Sequence, residues 1–117
     1  MNYLLLINEP RGQRATRSQA EGEEAYATMV RFAESLQRRG VLRAVESLQG
    51  DERGTRVEVR AGQARLVDGP FVEAKEMVGG FFLVDCATRE EALAIAAECP
   101  AAGWATVEVR PVGPCFT

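Results

Sequence analysis

Asp68, Glu73 and Lys75 put two carboxylates and an ammonium group into one short stretch. If residues 72 to 75 are extended, Glu73 and Lys75 share a face, because side chains alternate along a strand. Two carboxylates in one cleft split their pKa values, which leaves one protonated as an acid and the other charged as a base. The chemistry available is therefore acid–base catalysis or the binding of a polar substrate, with Asp68, Glu73 and Lys75 as catalytic candidates. The same residues also have a reading without chemistry. Asp, Gly and Pro are turn formers, and a solvated Glu–Lys pair is worth roughly 0–1 kcal/mol.

The chain contains no His. That excludes Ser-His-Asp and Cys-His nucleophilic machinery and His-ligated metals. Cys86, Cys99 and Cys115 lack C-x-x-C spacing and read as reduced thiols, so no metal site and no bound redox cofactor is expected. Cys99, at a helix C-terminus, gains no thiolate stabilisation from the dipole. Arg11, Arg14 and Arg17 either clamp an anion at the mouth of the fold or decorate a solvated loop. Gly79-Gly80 either lets a ligand approach the backbone or bends the chain into a strand. It lacks the spacing of a phosphate loop. Phe71, Phe81, Phe82 and Trp104 line an apolar pocket on one reading and fill a core or subunit interface on the other.

The elements that must hold these groups are legible as patterns. Tyr3 to Ile7 is a continuous apolar run, expected as a central strand, followed by a polar loop from Asn8 to Arg17. Ser18 and Glu21 have capping-box spacing. Ala25, Met29, Phe32 and Leu36 then line one helical face, and Gly40 is placed to end the helix. Val41 to Leu48 reads as a strand. Thr55 to Arg60 and Ala64 to Asp68 form a hairpin about Ala61-Gly62. Phe81 to Asp85 is another strand, Thr88 and Glu91 open a second helix, Pro100 ends it, and Thr106 to Val112 closes the series. Strand–helix–strand, a hairpin, then strand–helix–strand is the order of a ferredoxin-like split βαβ α+β fold, expected as one domain over residues 1–117.

The stretch Asp68-Gly69-Pro70-Phe71-Val72-Glu73-Ala74-Lys75-Glu76 resembles the signature of DGPF-type proteins in the YCII-related family. Gly79-Gly80-Phe81-Phe82-Leu83-Val84, the opening Tyr3-Leu4-Leu5-Leu6 and the closing Val107-Glu108-Val109-Arg110-Pro111-Val112 extend the resemblance in order along nearly the whole chain. It implies a ferredoxin-like α+β fold whose subunits pair as a dimeric α+β barrel. Relatives are proposed as enzymes of mostly unassigned reaction, and the expectation for this chain is a barrel cleft that binds a small molecule. On that basis Phe71, Gly79, Gly80 and Arg11 are expected to bind substrate beside Asp68, Glu73 and Lys75. The rival is a non-catalytic ligand sensor or partner-binding module in transcriptional regulation. The His–Asp pair associated with the YCII branch does not carry over. No His stands around Ala27 to Met29, and Cys99 precedes Pro100 where an Asp belongs.

Composition narrows the partners. Apolar residues make up 46% of the 117 and charged residues 26%, which suits a globular chain with its own core. A net charge of -3 supplies no broad positive field for nucleic acid. No apolar run approaches the roughly 20 residues needed to span a bilayer, and the first one lacks a signal-peptide pattern. The expectation is a cytoplasmic homodimer that binds neither nucleic acid nor membrane.

Overall fold

Alternation along the first strand decides where the core lies. In the computed structural model, which describes residues 1–117, β1 (Asn2–Pro10) buries Tyr3, Leu5, Ile7 and Glu9 and leaves Leu4, Leu6 and Asn8 half-buried on the opposite face. β1 and β5 (Glu76–Asp85) are the two central strands. They are flanked by β2 (Leu42–Ser47) and β6 (Thr106–Pro111) in the order β2-β5-β1-β6, all antiparallel. The helices α1 (Gln19–Arg38) and α2 (Arg89–Glu98) supply Phe32, Leu36, Ala92, Ile95 and Ala96 to one core with Tyr3, Leu5, Ile7, Phe82 and Val84. This is the expected ferredoxin-like α+β fold. Phe32 meets Phe82 edge-on, with ring centroids 5.4 Å apart. No helix is long and apolar enough to cross a membrane.

Both ends of α1 are set by local chemistry. The Ser18 hydroxyl accepts from the Glu21 N–H, and the Glu21 carboxylate accepts from the Ser18 N–H, so the capping box is complete. At the other end Gly40 takes a φ of +75°. The Val41 N–H reaches the Leu36 carbonyl and the Gly40 N–H that of Gln37, which is a Schellman closure. α2 is capped less symmetrically. Thr88 accepts from the Glu91 N–H, but Glu91 turns to the Ala87 N–H instead.

Three sequence expectations are corrected. β1 runs on to Pro10, so Asn8, Glu9 and Pro10 belong to a strand and not to the loop. β5 starts at Glu76, so Gly79 and Gly80 lie inside a strand and not at a bend leading into one. Residues 72 to 75 are not extended. Val72 and Glu73 form a turn that the Ala74 N–H closes onto the Phe71 carbonyl at 3.0 Å, so alternation does not align Glu73 with Lys75. The hairpin β3 (Thr55–Arg60) and β4 (Gln63–Asp68) forms a separate two-stranded sheet. Its tight turn has positive φ at both Ala61 and Gly62.

Candidate functional site

The buried face of β1 ends on a charge. Glu9 continues the inward series after Ile7, and its side chain is 8% exposed. Glu9 Oε1 accepts from Arg14 Nε at 2.9 Å and from Arg14 Nη2. Oε2 accepts no hydrogen bond from the protein. Arg14 is held in reach by the ordered turn around it. The Gln13 side chain donates to the Trp104 carbonyl at 2.6 Å, and the Thr16 hydroxyl donates to the Gln13 carbonyl. Room for the ion pair comes from β5. The register slips there, pairing Ile7 with Gly80 and Asn8 with Val78, so that Gly79 faces no partner residue on β1. A Cβ on Gly79 would lie 2.2 Å from Glu9 Oε1.

This ion pair lies in the wall of a cleft of about 630 Å³ between α1 and the sheet, half of whose 24 lining residues are hydrophobic. Ile7, Phe82, Met29, Tyr26 and Trp104 are among its apolar lining, and Arg17 and Ser18 stand at the start of α1. The Arg17 guanidinium lies over the Trp104 ring, 5.5 Å from its centroid. Ala25 and Met29, expected on the packed face of α1, are only half-buried because the N-terminal half of that helix borders the cleft.

The signature residues build a different place, the foot of the hairpin. Asp51 is its centre. Both its oxygens accept from Arg11, Nη1 at 2.9 Å and Nη2 on the other oxygen, and Oδ2 also accepts from the Phe71 N–H at 3.2 Å. Arg11 Nε donates to the Ala74 carbonyl at 2.7 Å. The Arg11 guanidinium holds the Asp51 carboxyl down to about 2, against the opposing effect of its partial burial. Gly69 packs so closely that a Cβ there would collide with the Asp51 carbonyl oxygen, and the Gly69–Pro70 bond is cis. Arg56 lies 3.8 Å over the Phe71 ring and donates to Glu73 at 2.6 Å. The Glu73 carboxyl is kept low by its own backbone N–H and by Arg56.

The expected site residues therefore separate. Gly79 and Gly80 border the α1 cleft. Arg11 and Phe71 border a second cleft of about 580 Å³ beside Asp51, Arg53 and Met77. Asp68, Glu73 and Lys75 are exposed. Asp68 accepts from the Thr55 hydroxyl at 2.8 Å across the open end of the hairpin. The three arginines do not converge: Arg11 faces Asp51, Arg14 faces Glu9 and Arg17 faces Trp104. No three Cys, Asp or Glu side chains gather into a group that would hold a metal.

A ferredoxin-like sheet carrying a helix-covered cleft with a buried carboxylate defines the class of domain. The YCII-related domain model matches residues 1–115, and the chain belongs to that family. An uncharacterized protein of Rhizobium meliloti (strain 1021) is 46% identical over 54 residues, a stretch covering 44% of this chain and 44% of that protein. Among solved structures, 5-chloro-2-hydroxyhydroquinone dehydrochlorinase from Burkholderia phenoliruptrix AC1100, in complex with 2,5-dihydroxybenzoquinone, matches with a TM-score of 0.56. The match covers 97% of this chain and 94% of that one at 16% identity, a likeness of fold alone.

Proposed function

We propose that this chain is a DGPF-type YCII-related protein that binds a small organic molecule in the α1 cleft. The ligand has a largely apolar body and a hydroxyl or N–H donor, which Glu9 accepts. The observation that carries this reading is the uneven treatment of the Glu9 carboxylate. Arg14 saturates Oε1, while Oε2 has no donor from the protein. Oε2 is not sealed from solvent, so it stays open to a donor on a ligand in the cleft. The hydrophobic half of the lining suits an apolar body, and Trp104 and Phe82 suit a ring. Arg17, held by Trp104, adds a cation for an oxygen substituent. The dihydroxyquinone bound by the dehydrochlorinase combines a ring with such oxygens, which supports the ligand class by analogy of fold.

A carboxylate hydrogen-bonded to a ligand hydroxyl is also the starting arrangement for general acid–base catalysis, so Glu9 is the group to take the proton in any turnover. In this reading Asp68, Glu73 and Lys75 act on the hairpin rather than on the ligand. The solvated position of Asp68 favours the rival without chemistry, a ligand sensor using the same cleft.

The test is titration with 2,5-dihydroxybenzoquinone and with catechol, followed by the indole N–H signal of Trp104, the only Trp in the chain. Binding in the cleft shifts that signal. Glu9→Gln keeps an oxygen for Arg14 but loses the charge, and should weaken binding at least about tenfold. Asp68→Asn should bind as the parent does. Ligand-induced shifts confined to the hairpin, or an Asp68→Asn loss matching that of Glu9→Gln, would return the site to the signature residues. Conversion of either compound, abolished in Glu9→Gln, would separate the enzyme from the sensor.

A further inference from the structure

α1 carries a second stripe beside the one that packs the core. Gly22, Tyr26, Val30, Ala33 and Gln37 step by four, four, three and four, so they share a face. All five line the α1 cleft, which follows the helix from Ser18 to Gln37, about 28 Å by the rise of an α-helix. A volume of about 630 Å³ drawn out over that length is a groove and not a compact pouch. Its other wall is β2, an edge strand of the sheet. The register sets Ser47 opposite Gly80, Val45 opposite Phe82 and Leu42 opposite Val84, so these three share the helix-covered face with Phe82 and Val84.

Polarity is divided along the groove. Glu9, Arg14, Arg17 and Ser18 gather where α1 begins. Ser47 belongs to the same end, because Gly80 pairs with it on one side and with Ile7 on the other. The chain turns from α1 into β2 at Gly40, so Leu42 lies beside the far end of the helix. There the facing side chains are Val30 and Ala33 on α1 and Val45 and Leu42 on β2. Glu34, Gln37 and Glu46, which border this half, are exposed. Tyr26 is 60% exposed, Val30 38% and Val45 36%. Single exposed aliphatics are ordinary on a protein surface. These line one groove that runs without a break into the place where Glu9 is held.

 We infer that the ligand is an amphiphile: a hydroxylated ring seated at Glu9 and bearing an unbranched alkyl tail, which lies along α1 between Val30 and Val45. The head rests on the reading of Glu9 given above, and the tail is new. Aliphatic walls reward a tail in proportion to the apolar area it removes from water. A peptide laid along the same walls would have to pair its own N–H and C=O groups, for which Val30, Ala33, Val45 and Leu42 offer no side-chain partner. Glu34 and Glu46 bear like charges beside the tail, so its far end is uncharged.

The experiment is a titration with catechol and its 4-ethyl, 4-butyl and 4-hexyl derivatives, each below the concentration at which it aggregates, followed by the Trp104 indole N–H signal. Affinity should rise about twofold to fourfold with each added methylene. Val30→Lys and Val45→Lys change partly exposed side chains, and circular dichroism checks that both fold. Each should cut the ratio of the hexyl to the catechol affinity about tenfold or more. Glu9→Gln should weaken every member of the series by the same factor and leave that ratio as it is. Head and tail can therefore fail separately. If chain length counts but Glu9→Gln changes no affinity, the tail stands and the Glu9 reading falls. If catechol binds through Glu9 and the hexyl compound binds no more tightly, the tail is overturned. A gain with chain length that both lysine variants leave intact overturns it as well. If those variants instead alter the particle mass in light scattering, the groove belongs to a protein contact.

Discussion

A methyl group at Gly79 would sit 2.2 Å from Glu9 Oε1 and 3.1 Å from Arg14 Nη2, whereas at Gly80 it would meet the Glu46 carbonyl oxygen at 2.8 Å and Ser47 Cα at 3.4 Å. The first obstacle is the end of a side chain, and the second is the backbone of the neighbouring strand. Gly79→Ala should therefore displace the Glu9–Arg14 pair and weaken ligand binding at the cleft, with a smaller effect on folding. Gly80→Ala should force β2 away from β5 and cost about 1–3 kcal/mol in a urea unfolding experiment. Equal losses of stability in the two variants would contradict this division. In the sequence the pair reads only as a bend or a close approach, because nothing local tells which glycine faces what. Glu9 was nearer to being legible. Tyr3, Leu5 and Ile7 alternate inward, and one more step of two reaches Glu9. A polar loop beginning at Asn8 hides that step, and the strand continues because Asn8, Glu9 and Pro10 pair with Val78, Met77 and Glu76.

Among the elements, those stabilised by neighbours in sequence were legible and those tied across the chain were not. The capping box at Ser18, the closure at Gly40 and the turn at Ala61-Gly62 each lie within a few residues. The foot of the hairpin depends on Arg11 meeting Asp51, 40 residues away, and no local pattern announces it. That pair gives the fold a defined acid sensitivity. The Asp51 carboxyl sits at about 2 in the folded chain against an ordinary value of 3.8. A lowered folded pKa contributes stability that is fully present above the unfolded value and lost as pH falls through the folded one. The contribution of Asp51 is thus intact at neutral pH and disappears between about 4 and about 2. Asp51→Asn should be less stable than the parent at pH 7, with the gap closing across that window in urea midpoints. The parent keeps some acid sensitivity from Glu21, Glu73, Asp85 and Glu108, whose carboxyls are also lowered by their partners. The mutant's pH profile should therefore be shallower, not flat. A gap of constant size from pH 7 to 2 would mean that the Arg11–Asp51 pair has no part in it.

At the scale of the molecule, the order of elements was readable and the shape was not. Strand and helix periodicity give the split βαβ order, but nothing in periodicity says that the hairpin stands apart from the main sheet or that the molecule measures 46 × 42 × 19 Å. A body this thin keeps a small core, one cluster of 13 residues shared by β1, β5 and the two helices. Two of the three thiols belong to it. Cys86, just after β5, and Cys99, at the end of α2, are each 3% exposed, and burial raises the pKa of both. Cys115 is exposed near the C-terminus. A thiol must be both reached and deprotonated to react with a disulfide reagent, so burial slows Cys86 and Cys99 on both counts. The native protein should show one fast thiol and two slow ones, and the denatured protein, prepared without reductant or oxidant, should show three. Because the slow pair sits in one cluster, both should be released by the same opening, at one rate that rises together with denaturant. Fraying of α2 alone would free Cys99 ahead of Cys86, and two separate slow rates would show that the cluster does not open as a unit. Fewer than three thiols in denaturant would mean that a cysteine is already oxidised, against the free state of all three in the fold.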